Sequence, residues 1–230
     1  MRAKLIESTE IAPDVRHFVF EAPEVEALSF IPGQFVSMTD VVNGKKITRA
    51  YSIASAPTSA HNRFELCLNL VKEGIFSPHL FALEPGGLID IRPPLGQFVL
   101  RNPPRETILV ATGTGIAPFR SILHAHLSES SPAFTLIFGV RYEHSLMYRT
   151  EFEELAGRFP HFQFHPTLTR PDSTWTGKTG RVQTHLTEAI GERRDLDIFL
   201  CGLKEMVDDV RNILKGMGFD RKQILYEKYD

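Results

Sequence analysis

The sequence predicts two domains of different class: an antiparallel β-barrel over residues 1–102, then a doubly wound parallel α/β sheet over residues 103–230. Three observations predict this. An early segment alternates apolar and polar residues with a period of two, and Pro-Gly clusters punctuate the first half closely. After residue 106, short apolar strands alternate with segments of helical spacing.

In the first half, Phe64, Leu66, Leu68 and Leu70 alternate with Glu65, Cys67 and Asn69. That pattern is a strand with one buried face. Ile31-Pro32-Gly33-Gln34, Glu84-Pro85-Gly86-Gly87 and Pro93-Pro94-Leu95-Gly96 are turn signals. Short strands broken this often point to a barrel. Arg101-Asn102-Pro103-Pro104-Arg105-Glu106 reads as the linker.

In the second half, residues 107–111 form a short apolar strand. Ile116, Phe119, Ile122, Leu123 and Leu127 then recur at helical spacing, and 133–139 is a second buried strand. Phe152, Leu155 and Phe159 suggest a helix. Residues 197–200 read as a strand; Met206, Val207, Val210, Ile213, Leu214 and Met217 make one helical face; residues 223–229 close as a strand.

Composition excludes several functions. With 42% hydrophobic and 23% charged residues the chain is an ordinary globular protein. A net charge of −2 argues against nucleic acid or an anionic membrane as partner. No apolar run approaches the ~20 residues that span a bilayer, and the first residues lack a signal-peptide core. Cys67 and Cys201 cannot cage an iron–sulfur cluster alone, so such a centre belongs to another protein. A reducing cytoplasm is the expected compartment. No metal site is expected. His124 and His126 fall on different faces of a helix, and His161 and His165, between Pro160 and Pro166, have no third ligand beside them.

Gly113-Thr114-Gly115-Ile116-Ala117-Pro118 follows the first strand of the second half and opens its first helix. Glycines there let a backbone approach a pyrophosphate, and a helix start offers unpaired amides. Pro118 stands where a third glycine would, and proline suits a first helical turn. A bare strand–helix turn without ligand is the alternative. The following strand runs into Val140-Arg141-Tyr142. An arginine at that strand end reads a 2′-phosphate, whereas a carboxylate reads a 2′-hydroxyl. Arg141 thus points to NADP, and Glu143 keeps NAD open. Arg170, after Thr169, and Arg181, after Gly180, are further candidates; each taken singly also reads as a solvated surface arginine.

Arg49-Ala50-Tyr51-Ser52 resembles the R-x-Y-S flavin motif of the ferredoxin–NADP reductase family. Gly74-Ile75-Phe76-Ser77 is similar to that family's G-x-x-S segment, and Pro32-Gly33-Gln34-Phe35-Val36 to its upstream strand. Gly113 to Pro118 resembles its nucleotide turn, Cys201-Gly202-Leu203-Lys204-Glu205-Met206 its C-G-L-K-x-M segment, and Tyr226-Glu227-Lys228-Tyr229 the ending of plant-type members. The matches run in order along nearly the whole chain.

The resemblance implies FAD in the barrel and NADP, or NAD, in the α/β domain. Arg49 would pair with a flavin phosphate, the ring of Tyr51 would pack on the isoalloxazine, and Ser52 would hydrogen-bond its hydride-accepting nitrogen. Ala50 belongs to the same motif. Gly74, Ile75, Phe76 and Ser77 would face the pyrophosphate, with Leu68 and Val71 against the flavin or its adenosine. Gly113, Thr114, Gly115 and Pro118 would meet the nicotinamide nucleotide, Thr114 touching the flavin nucleotide as well, and Arg141, Thr169, Arg170 and Arg181 would meet the nicotinamide nucleotide's 2′-phosphate. Cys201 and Glu227 would flank the nicotinamide, with Gly202, Leu203 and Met206 in the same segment. Tyr229 would cover the flavin opposite Tyr51. Ser52, Cys201 and Glu227 are the implied catalytic residues. Three departures mark a hybrid: Thr169 replaces a serine, Asp230 extends past the terminal aromatic, and Arg181 replaces an adenine-stacking tyrosine.

The implied activity moves electrons between NADP(H) and a one-electron carrier, ferredoxin or flavodoxin, through FAD. Two alternatives stay open. One is an NADH-dependent oxygenase reductase component or flavin reductase. The other is a nucleotide-sensing or assembly module without catalysis, against which intact Ser52, Cys201 and Glu227 count.

Overall fold

The computed structural model describes residues 1–58 and 61–229. They form two compact units: Met1–Val99 with Ala117–Ala125, and Leu100–Ile116 with the chain from His126 onward.

The first unit holds β1 (Arg2–Ala12), β2 (Val15–Glu21), β3 (Phe35–Val42), β4 (Lys45–Ser52), β5 (Arg63–Asn69), α1 (Phe76–Phe81) and β6 (Leu88–Ile91). The strands make one antiparallel sheet in the order β4-β3-β6-β1-β2-β5. A bridge between Ile53, just after β4, and Leu66 of β5 joins the two ends of that order and closes a barrel. Phe18, Phe20, Phe64, Leu66, Val36 and Met38 fill its interior. The period-two strand of the sequence is β5, with one difference. Cys67, expected on the polar face, is buried as well. On the same face of β5 as Cys67, Glu65 meets α2 (Ala117–His126), most of which belongs to this unit. Its Arg120 reaches Glu65 Oε2 at 2.5 Å and Ala54 O at 3.1 Å, so the outer face of β5 is partly covered at Glu65. Residues of α2 read from sequence as part of the second half therefore pack within the first unit.

The second unit holds β7 (Thr107–Thr112), β8 (Phe134–Val140), α3 (Arg149–Arg158), β9 (Phe162–Leu168), β10 (Lys178–Thr179), α4 (Val182–Ile190), β11 (Asp197–Leu203), α5 (Lys204–Gly216) and β12 (Ile224–Tyr229). All pair in parallel, in the order β10-β9-β8-β7-β11-β12. The apolar runs of β7 and β8 are buried along their length, as strands covered on both faces must be. β9 was not evident in the sequence, because Gln163, His165 and Pro166 interrupt its apolar pattern. β11 extends to Leu203, three residues past the expected end. Residues 101–106 are anchored at the start of β11: Asp197, 2% exposed, accepts from Arg101 Nε at 2.5 Å and from Arg105 Nη2 at 2.7 Å. Among the described residues no helix is long and apolar enough to cross a membrane.

Candidate cofactor sites

In the first unit, strand register decides which side chains share a face. Val36 pairs with Tyr51 and Met38 with Arg49, so Arg49 and Tyr51 project to one side of β4 and Ala50 and Ser52 to the other. The Tyr51 ring is half-buried and stacks on Phe76 of α1, centroids 6.3 Å apart at 19°. Burial pushes its phenol up to about 12, with nearby Arg49 opposing. The ring therefore stays neutral at working pH. Arg49 is exposed and donates from Nη1 to Thr48 O at 2.8 Å. Ser52 is buried, 6% exposed.

The segment before α1 is tightly wound. Gly74 N donates to Val71 O at 2.8 Å, and Val71 N donates to Ser77 Oγ at 2.9 Å. The Ser77 hydroxyl is thus already engaged by its own turn, while Val71 and Ile75 are exposed. Leu68 has its side chain in the barrel core, 4% exposed. Next to this segment, His79 Nε2 lies 2.8 Å from Asp40 Oδ2, a pair that the sequence pattern did not single out. An exposed guanidinium beside a neutral ring backed by Phe76 suits a group with a flat aromatic system and a diphosphate, which fits FAD.

In the second unit the strand order reverses between β7 and β11, the place where open parallel sheets bind ligands beyond their carboxyl ends. The Gly113 turn leaves β7 and the Cys201-Gly202 segment ends β11 at that point. Gly113–Ile116 forms a 3₁₀ turn, and the α-helix begins only at Ala117; the expected direct opening of the helix at Gly113 is corrected accordingly. Gly113 has φ +55° with open space where a Cβ would stand. A Cβ on Gly115, by contrast, would meet Cys201 O at 2.3 Å. Gly202 has φ +142°, and a Cβ there would meet Thr112 Oγ1 at 2.2 Å. Leu203 N donates to Thr112 Oγ1 at 3.2 Å. Thr112, which the sequence reading passed over, thus ties the two strand ends together. An open glycine turn held at the switch point fits a dinucleotide phosphate.

The parallel register sets Cys201 opposite Glu227 and Leu203 opposite Tyr229. The Cys201 thiol is fully buried and pushed well up, chiefly by burial and then by the Glu227 carboxylate, while a hydrogen bond from Tyr229 opposes. It is a neutral small side chain, not a thiolate nucleophile. Cys201, Glu227 and Tyr229, named separately from the sequence, form one cluster. Leu203 is exposed, and Met206 packs into the core of α5.

The four candidate 2′-phosphate residues divide. Arg170 N donates to Arg141 O at 2.8 Å and Thr169 N to Val140 O at 3.1 Å, so β8 and β9 stay paired beyond their ends and set Arg141 and Arg170 side by side. Arg170 Nη1 reaches Tyr142 Oη at 3.3 Å, and the Tyr142 ring stacks on His144 at 5.3 Å. A groove of about 680 Å³ is lined there by Tyr142, Glu143, His144, Arg170, Pro171 and Asp172. Arg181 precedes α4 and lines a different groove, of about 460 Å³, with Thr184, Asp209 and Asn212.

Residues 2–100 match a model described as oxidoreductase FAD-binding domain, and residues 109–212 one described as oxidoreductase NAD-binding domain. The chain is 37% identical to ferredoxin–NADP reductase B of Sorangium cellulosum, with 99% of this chain and 97% of the relative covered. It is 31% identical to the toluate 1,2-dioxygenase electron transfer component of Pseudomonas putida, covering 91% of this chain but 61% of that longer protein. A solved ferredoxin NADP+ reductase of Neisseria gonorrhoeae with bound FAD and NADP superposes with a TM-score of 0.84 at 25% identity, covering 99% of this chain and 98% of that one.

Proposed function

Since the chain belongs to the ferredoxin–NADP reductase family of FAD- and NAD-binding oxidoreductases, we propose that it transfers electrons between NADP(H) and a one-electron carrier, ferredoxin or flavodoxin. The observation that carries the choice of NADP is the pairing of Arg141 and Arg170 through a 2.8 Å backbone hydrogen bond. Two guanidinium-bearing residues at adjacent strand ends suit a dianionic 2′-phosphate, which accepts planar forked donors in paired, charge-assisted hydrogen bonds. The near full-length match to a ferredoxin–NADP reductase supports the carrier.

When bound, FAD supplies the exchange between a two-electron hydride and single electrons. The chain's own residues position it. In this reading residues 1–102 carry FAD and residues 103–230 carry NADP(H). Arg49 pairs with the diphosphate, the neutral Tyr51 ring supports the flavin, and Ser52 offers a hydroxyl to it. Gly113 to Gly115 give room for the nicotinamide dinucleotide's phosphates. Cys201 and Glu227 order the nicotinamide, the thiol as a small neutral wall and the carboxylate as an acceptor. No thiolate or acid–base triad takes part. The cytoplasm suits a chain whose two cysteines are buried and form no disulfide.

A second reading, the NADH-dependent reductase component of an oxygenase, is favoured by Glu143 in the same groove. An anaerobic titration of the purified protein separates the two. NADPH should bleach the flavin absorbance at lower concentration than NADH, and ferredoxin or flavodoxin should restore it. Preference for NADH would overturn the proposal in favour of the second reading. Protein purified without yellow colour would overturn both.

A further inference from the structure

We propose that Arg149 is a positioning residue for nucleotide selectivity, neutralising Glu143 so that a 2′-phosphate can enter the groove beside Arg170. This inference rests on the reading of that groove as a 2′-phosphate site. The groove contains two carboxylates, Glu143 and Asp172, alongside Arg170. A bare carboxylate within a few ångströms of a phosphate dianion repels it and attracts a 2′-hydroxyl instead.

Both carboxylates are engaged, in different ways. Asp172 Oδ1 accepts from Thr174 N at 2.9 Å and from Thr174 Oγ1 at 2.6 Å, within its own loop. Glu143 Oε1 accepts from Arg149 Nη1 at 2.5 Å, so a guanidinium charge, shared with Glu153, lies against it. Arg149 is itself fixed from two further sides. Its Nε donates to Glu153 Oε1 at 2.6 Å, one helical turn on along α3. Its guanidinium lies over the Trp175 ring, 5.3 Å from the centroid. Trp175 is held in turn by a 2.9 Å hydrogen bond from Nε1 to Lys178 O. These contacts aim Arg149 at Glu143, and among the described residues the side chain of Arg170 bonds the uncharged Tyr142 hydroxyl and no carboxylate. A guanidinium with five donors can bridge two carboxylates in this way, where a lysine would make a single point contact.

Calorimetric titration of the flavin-loaded protein tests this, with adenosine 2′,5′-bisphosphate and 5′-AMP as probes. The wild type should bind the bisphosphate more tightly than 5′-AMP. R149Q should weaken the bisphosphate about two- to fivefold, the range of a partly exposed charge effect, and shift 5′-AMP less than about 1.5-fold. R149Q/E143Q should recover bisphosphate binding to within about 1.5-fold of wild type, because removing the carboxylate removes the need to neutralise it. The same split should appear in KM, raised for NADPH and unmoved for NADH.

Equal weakening of both probes in R149Q would make Arg149 merely structural and overturn the inference. So would R149Q/E143Q staying as weak as R149Q, which would put the guanidinium in direct contact with the phosphate. An unaltered R149Q with a discriminating wild type would overturn this inference and leave the 2′-phosphate reading standing. A wild type that does not discriminate the two probes would overturn both.

Discussion

A Cβ placed on Gly115 would stand 2.3 Å from the carbonyl oxygen of Cys201, and that oxygen is backbone of a central strand. The glycine is therefore required by the packing of β7's end against β11's end, independently of any ligand. Gly115→Ala should destabilise the second unit by at least the ~1–3 kcal/mol of an overpacked core. Gly113→Ala should cost less, about 1–2 kcal/mol for its left-handed φ, because nothing lies within 4 Å of the new methyl. Urea melts of the two variants check the order. Equal losses would mean that the strand ends separate freely.

Tyr51 makes stability depend on alkaline pH with a definite sign. Its phenol is pushed up to about 12 in the folded protein by burial, against about 10 in an unfolded chain. The contribution of the neutral ring is thus fully present below pH ~10. It is lost as pH rises toward 12, because the unfolded state ionises first. At pH 11 the loss amounts to about 1 kcal/mol. Tyr51→Phe should show no such decline, so the wild-type minus variant difference in urea midpoint should be flat to pH 9 and fall at pH 11. A flat difference throughout would mean that the phenol is solvated.

Arg49 is exposed, and its neighbour Tyr51 is stacked on Phe76, so the two can be changed separately. Arg49→Ala should weaken FAD retention by the ~1.5–3 kcal/mol of a charge-assisted hydrogen bond, roughly ten- to a hundredfold in Kd. The melting temperature of the flavin-free protein should stay put, because the guanidinium's 2.8 Å bond to Thr48 O is a surface contact. Retention equal to wild type in dialysis against potassium bromide would remove Arg49 from the site.

The barrel and the parallel sheet were legible because each rests on a repeating pattern: period two through Phe64, Leu66 and Leu68, and buried apolar runs in β7 and β8. β9 was not, because Pro166 and two polar residues break its run and only its neighbours β8 and β10 make it a strand. The packing of α2 with the barrel was equally hidden, since it depends on Arg120 finding Glu65, 55 residues away. Glycine turns and motif residues were visible as a string. What the string could not give was company. That Cys201, Glu227 and Tyr229 meet follows from the β11–β12 register, and that Arg181 lines another groove than Arg170 follows from the loop between them. Arg149 and Trp175 carry no motif, so nothing in the sequence marked them.

Tyr229 offers the sharpest test of the proposed reading, because its ring and its hydroxyl can be removed separately. The residue ends β12 opposite Leu203, and its side chain hydrogen-bonds the Cys201 thiol. Asp230, expected to extend past the aromatic, lies outside the described residues. The family resemblance implies that the ring covers the flavin face where nicotinamide must stack, so that one would displace the other. An aromatic stack contributes roughly 0.5–1.5 kcal/mol beyond area burial, enough to hold the ring and still allow exchange. On that implication the 2′-phosphate contacts of NADP would help to drive the displacement, which would make the ring a selector against NAD. Tyr229→Ser removes ring and reach together and should increase nicotinamide stacking, seen as a stronger long-wavelength charge-transfer band with NADP. It should also narrow the ratio of kcat/KM between NADPH and NADH. Tyr229→Phe keeps the ring and loses only the bond to Cys201, so it should hold the wild-type ratio to within about twofold, the loss expected for a weak hydrogen bond to sulfur. If serine and phenylalanine behave alike, the hydroxyl and not the ring does the selecting. If neither changes spectrum or ratio, Tyr229 does not cover the flavin in the working enzyme.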